Sequence, residues 1–122
     1  MKQVTTCIGF VSLDCDYYWS TMEALKILKG PVNLYMPWVW LYFDDVQFET
    51  HNRFAGQLLA IEDFNRDSED RKIDRIHFLP HTRIFTKVPW VHQMYMAHML
   101  DHPYRREKLN ETGGAVLANP YM

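Results

Sequence analysis

The sequence predicts an α/β domain built on a parallel sheet with right-handed crossovers. Three observations predict it. Strand-like apolar runs alternate with helix-periodic runs along 122 residues, about one domain's length. The first run is apolar at almost every position, as in strands covered on both faces. Acids follow the first two strand-like runs directly, and in such sheets ligands gather at the carboxyl ends of strands.

The elements follow in order. Strand one covers Cys7–Leu13. A helix over 21–29 has Met22, Leu25 and Leu28 as its apolar stripe, and Gly30-Pro31 stops it. Ser20 and Glu23 have the spacing of a capping box, which satisfies free backbone donors at a helix start. Strand two covers Val39–Phe43. A short extra strand over Val32–Met36, ended by Pro37, stays open beside it. The second helix covers 52–65, with Phe54, Ala55, Leu58, Leu59 and Ile61 on one face. Residues 66–72 read as a charged turn and Ile73–Leu79 as strand three. Trp90–Leu100 is apolar on every face, so periodicity leaves helix and strand both open. Residues 1–106 form the domain, and 107–122 read as a loop or frayed tail.

Composition excludes several classes. Thirteen basic and fifteen acidic residues give a net charge of -2, so no bulk positive charge draws nucleic acid. Apolar residues at 48% argue against disorder. No apolar run reaches the ~18 residues of a membrane span. Cys7 and Cys15 read as reduced thiols of a cytoplasmic protein, and no Cys-His spacing suggests zinc. His98 and His102 would pair on a metal only if their segment were helical.

The acids carry the chemistry. Asp14-Cys15-Asp16 follows strand one and Asp44-Asp45 follows strand two. Neighbouring strands lie about 5 Å apart, so carboxylates at their ends repel unless a cation sits between them. A hard divalent ion such as Mg²⁺ takes such oxygen ligands with waters or substrate oxygens. Asp residues at strand ends also simply begin turns and cap helices, and spacing alone leaves both readings open.

Two stretches resemble a known family. Phe10-Val11-Ser12-Leu13-Asp14-Cys15-Asp16-Tyr17-Tyr18, with Ser20-Thr21 and Ala24-Leu25, resembles an "LDxDxYxST…AL" segment. Tyr42-Phe43-Asp44-Asp45, then Ala55 to Asn65, looks like "FDD" followed by "GExxAIxEF". Both belong to class I S-adenosylmethionine-dependent methyltransferases of the macrocin and mycinamicin sugar O-methyltransferase type. The likeness covers roughly residues 8–64. It implies a partial Rossmann-like, mostly parallel sheet with flanking helices and a last antiparallel strand within 91–100. It also implies that Asp14, Asp44 and Asp45 hold Mg²⁺, which would orient and acidify a hydroxyl of a small-molecule substrate. Asp16 and His51 are the candidates for catalytic base. Tyr17 stands where catechol-type relatives carry a Lys.

The family's cofactor site lies in the first half of its fold, and no glycine-rich turn follows an early strand here. The likeness therefore implies a C-terminal half beginning near the fourth strand. It would be inactive alone and bind S-adenosylmethionine only in a complete fold. Strand 7–13 would then present an open edge, covered by a second copy in a homo-oligomer or by a separate N-terminal half. Two other classes stay open. A non-enzymatic ferredoxin-like binding or dimerisation module follows if Val32–Met36 and Val39–Phe43 form a hairpin. A nucleotide-sugar transferase fragment would also use an acidic pair after an apolar strand.

Overall fold

The computed structural model describes residues 6–46, 52–82 and 88–106. They form an α/β unit with one mixed, open sheet. Its elements are β1 (Ile8–Leu13), α1 (Tyr18–Leu25), β2 (Tyr35–Phe43), α2 (Gly56–Asp67), β3 (Arg71–Arg75) and β4 (Met94–Met99). Short 3-10 turns cover Lys26–Lys29, Val32–Leu34, Leu79–His81 and Pro89–His92. The sheet order is β1-β2-β4-β3.

Only β1 and β2 pair in parallel, and β4 runs antiparallel to both β2 and β3. One of the three pairings is parallel where the sequence predicts a mostly parallel sheet, and β4 is the antiparallel strand expected within 91–100. The last strand inserts between β2 and β3, so those two strands share a direction without touching. The hairpin of the ferredoxin-like alternative does not form, and one continuous strand covers 35–43. Pro37 is tolerated because the β1–β2 register slips there. Ile8 faces Tyr35, whereas Phe10 already faces Trp40. A proline has no N–H to give to a ladder, and an irregular stretch does not need one. The order is thus β-α-β-α-β-β, and the ferredoxin-like order β-α-β-β-α-β does not form.

Several element boundaries differ from those expected: α2 starts at Gly56 and not at 52, and β3 covers 71–75 and not 73–79. Helix α1 starts three residues before Thr21, and no side chain caps it. Thr21 Oγ1 and Ser20 Oγ instead donate to the Tyr17 carbonyl at 2.9 and 3.0 Å, and Glu23 pairs with Lys26 at 2.8 Å. The capping box therefore does not form. Strand β3 begins inside the expected charged turn because Arg71 is anchored. Its Nη1 donates to the Leu28 and Gly30 carbonyls, both at 2.6 Å, and its guanidinium lies 5.0 Å above the Tyr35 ring. Asn65 of α2 then closes the outer edge of β3. Its amide accepts from the Ile73 N–H at 2.6 Å and donates to the Ile73 carbonyl at 2.7 Å.

Both helices lie on one face of the sheet. Leu25 and Leu28 on one side of this layer, and Ala60, Ile61 and Phe64 on the other, bury the odd-numbered residues of β2. Phe43 and Tyr95 meet edge to face in this core, with centroids 5.1 Å apart. Gly56 begins α2 with φ of +61°, a conformation that favours glycine. No helix among the described residues is long and apolar enough to cross a membrane. The segment 107–122 lies outside the described residues.

Candidate metal centre

The parallel pairing of β1 with β2 builds the site. Leu13 and Phe43 are register partners at the carboxyl ends of the two strands. The chain beyond each strand therefore emerges side by side, placing Asp14 beside Asp44. Asp16 joins them. One carboxylate oxygen from each of Asp14, Asp16 and Asp44 lies within 4.8 Å of the other two. Asp14 and Asp16 are exposed, and Asp44 is half-buried.

Crowding shows in the protonation of Asp44. Its pKa is pushed up to about 6, first by burial, then by its hydrogen bond with Asp14 and by the charges of Asp45 and Asp14. Burial also raises the Cys15 thiol, which sits between the acids, and the charges of Asp14, Asp44, Asp16 and Asp45 push it further. Both cysteines are free thiols.

Two glutamines hold the strand ends. Gln57, 1% exposed at the start of α2, donates from Nε2 to the Leu13 carbonyl at 3.2 Å and to Asp44 Oδ1 at 3.4 Å. Its Oε1 accepts from the Asp45 N–H at 2.9 Å. Gln93 donates from Nε2 to the Asp44 carbonyl at 2.9 Å, while its own carbonyl accepts from the Phe43 N–H at 3.0 Å. These two residues fix the position of Asp44 relative to β1. Sequence reasoning missed both as positioning residues. The available signal was a pair of amides embedded in apolar runs, which by itself does not reveal what they bond.

The expected site residues divide as follows. Asp14 and Asp44 meet as anticipated. Asp16, anticipated as a base, stands with them as a third acid. Asp45, anticipated as a ligand, stands outside that trio, although its charge acts on Asp44. His51 lies outside the described residues. The other histidines serve local contacts. His77 meets Asp74 at 3.1 Å, His98 meets Arg105 at 3.0 Å, and His102 accepts from the Tyr104 N–H at 3.2 Å. Among the described residues, no other group of three or more acids, histidines or cysteines has ligand geometry. Tyr17 and Trp19 stay exposed, while Tyr18 turns to α2 and donates to Asp63 at 2.6 Å.

An open cavity of about 660 Å³ adjoins the same end of the sheet. Leu58 and Ile61 of α2, Arg75, His92 and Tyr95 line it, with Val46 two residues beyond Asp44. Its volume suits a small organic molecule. Three carboxylates without a lysine or arginine among them form an all-oxygen donor set of the kind that Mg²⁺ or Ca²⁺ takes. No family model, curated protein or solved structure matches this chain.

Proposed function

We propose that this chain is the metal-holding, acceptor-binding half of an S-adenosylmethionine-dependent O-methyltransferase. It works only when a cofactor-binding half completes the fold. One observation carries the reading: Asp14, Asp16 and Asp44 converge at the ends of two adjacent parallel strands. Both stretches that resemble the macrocin-type methyltransferases contain those acids. The antiparallel β4 agrees with the last strand that the resemblance implies.

In this reading Asp14, Asp16 and Asp44 hold the cation, and Asp45 adds negative charge behind them. A Mg²⁺ ion held there would supply Lewis acidity, lowering the pKa of an acceptor hydroxyl. Gln57 and Gln93 keep Asp44 in register with Asp14. The cavity beyond Val46 receives the rest of the acceptor and aligns its hydroxyl, which is where orientation contributes to rate. A non-enzymatic ferredoxin-like module gains no support, since its central hairpin does not form.

Calorimetry with Mg²⁺ and Mn²⁺ at pH 7.5 tests the site. The folded chain should bind one divalent ion, and Asp14→Asn and Asp44→Asn should each weaken binding at least ~10-fold, about 1.4 kcal/mol. A folded chain that gives neither heat nor a thermal shift with 20 mM of either ion, on the order of what a Kd of 1 mM would nearly saturate, sinks the reading. Binding of S-adenosylhomocysteine against a uridine diphosphate sugar, measured once a completing half is present, separates the methyltransferase from a nucleotide-sugar transferase.

A further inference from the structure

The cavity of about 660 Å³ carries a charge that its own lining does not match. It lies on the helix-covered face of the sheet, on the side where β4 meets β3. Tyr95 and Arg75 are register partners there, so their side chains share that face. Ile73, two positions before Arg75, shares it too. Leu58 and Ile61 of α2 complete an apolar wall.

Polar groups stand ready on the same wall. Tyr95 is 6% exposed and packs its ring on Phe43, yet its hydroxyl has no hydrogen-bond partner among the described residues. A buried phenol normally finds one, and the cavity that Tyr95 lines is where a ligand would supply it. Burial raises the Tyr95 pKa, against the opposing charge of Arg75, so the hydroxyl is a neutral donor. Arg75 Nη2 donates to His92 Nδ1 at 3.0 Å, and its guanidinium meets no carboxylate among the described residues. Arg71, on the same strand, shows the contrast. Two backbone carbonyls and Asp101, at 3.2 Å, take up its donors. Arg75 has one imidazole, and the rest of its fork is unused.

The acids of the lining are already engaged. Glu62 pairs with Arg53 at 3.5 Å. Asp74 accepts from the Arg75 backbone N–H at 2.9 Å and meets His77 at 3.1 Å. A carboxylate matches the remaining guanidinium in charge and in its planar two-bond geometry. A phosphate dianion would bring a second negative charge toward Glu62 and Asp74 with no cation left to meet it. We infer that Arg75 and Tyr95 anchor a carboxylate on the molecule this cavity takes, its apolar body lying on Leu58, Ile61 and Ile73. The methyl acceptor is then a small hydroxy acid, which rests on the methyltransferase reading. The carboxylate seat itself involves neither the acidic trio nor a cation.

The probes are 3-phenylpropionate, 3-phenylpropionamide and 2-phenylethylphosphonate, which share an apolar body and differ in head group. Binding to the full chain is read without metal, at about pH 8, from the amide NMR signals of Ile73, Arg75 and Tyr95. The acid should shift these signals at millimolar concentration and bind at least ~5-fold more tightly than the amide, about 1 kcal/mol. The phosphonate should bind no more tightly than the acid. Arg75→Gln, at an exposed position, should bring acid and amide together. Tyr95→Phe keeps the ring against Phe43 and should cut the preference for the acid roughly 3-fold. Circular dichroism checks that both variants fold. Four results would overturn the carboxylate seat: no shift with the acid up to about 20 mM, equal binding of acid and amide, a preference that survives Arg75→Gln, or a phosphonate that binds more tightly. A Mg²⁺ titration of the same sample keeps the two readings apart. Acid preference with no response to Mg²⁺ supports the seat and counts against the methyltransferase, and a Mg²⁺ response with no acid preference does the reverse.

Discussion

Replacing Asp44 by Asn separates a crowded cation site from an ordinary turn. The Asp44 pKa of about 6 stands above the 3.8 of an ordinary Asp carboxyl. The folded chain therefore holds an extra proton between those two pH values. Its contribution to stability is full below the unfolded pKa and is lost as pH rises through about 6. Two pKa units correspond to a ceiling of about 3 kcal/mol. Solvent reaches this half-buried carboxyl and screens it, so about 1–2 kcal/mol is the realistic penalty at pH 8. Asn carries no charge and can still donate to Asp14. Asp44→Asn should thus raise stability by about 1–2 kcal/mol at pH 8, roughly 4–8 °C in Tm, and leave it nearly unchanged at pH 4. Magnesium should act the other way. At tenfold excess over Kd it adds about 1.4 kcal/mol to the wild type and little to the variant. The assay is a thermal melt at pH 4, 6 and 8 with and without MgCl₂. If Asp44 only starts a turn, the substitution costs up to ~1 kcal/mol at every pH and magnesium changes nothing. That outcome refutes the reasoning.

Other predictions follow from the same contacts. Cys15 should react with iodoacetamide more slowly than the exposed Cys7 at pH 7.5, because burial first and four carboxylates next raise its thiol. In a Cys7→Ser chain, 10 mM Mg²⁺ should accelerate Cys15 by roughly 2–5-fold, since it cancels the charges but not the burial. An equal effect of KCl at matched ionic strength would show screening and no site. Asn65→Ala should cost about 1–2 kcal/mol in urea melts, because it removes both bonds to the Ile73 backbone at the β3 edge. The same variant should aggregate more readily, as an unprotected edge invites pairing; unchanged stability and solubility would mean that water replaces the amide. The 122-residue chain alone should show no methyl transfer and no micromolar S-adenosylmethionine binding, which calorimetry and a methyl-transfer assay would check.

Much of the fold was legible where local pattern and tertiary context agree. Leu13 and Phe43 end their strands where the sequence places Asp14 and Asp44, although β1 is not covered on both faces as its apolar run suggests, since Phe10 and Ser12 are exposed. The Trp90–Leu100 run lacked any period and resolved into a 3-10 turn and then β4, a central strand with apolar residues on both sides. What failed depended on partners that the local pattern does not name. Ser20 and Glu23 satisfy a local capping rule, yet the Tyr17 carbonyl takes the hydroxyls instead. Arg71 and Lys72 look like a turn until Arg71 finds the Leu28 and Gly30 carbonyls more than forty positions away. The insertion of β4 between β2 and β3 leaves no trace in either strand's composition, so its place in the sheet order could not be read from the chain.

The membership of the acidic trio follows from where the two strands end. Asp14 and Asp16 lie between the end of β1 and the start of α1 at Tyr18, and both bring a carboxylate oxygen to Asp44. Asp44 and Asp45 lie in a bend after β2, where Asp44 meets the other two acids and the Asp45 N–H donates to Gln57 Oε1. The sequence stretch Asp-Cys-Asp thus supplies two members and the stretch Asp-Asp supplies one. Cys15, the odd residue between, is held to α1 through its carbonyl, which accepts from Thr21 Oγ1 at 3.4 Å. Asp16→Asn is the sharper companion to Asp44→Asn. It removes an exposed charge from the trio without disturbing a buried partner. It should lower the Asp44 pKa only slightly, because burial and Asp14 dominate that shift, yet weaken magnesium binding as much as Asp14→Asn does. Calorimetry of the three Asn variants beside Asp45→Asn checks this, and an Asp45 variant weaker than the Asp16 variant would reverse the assignment.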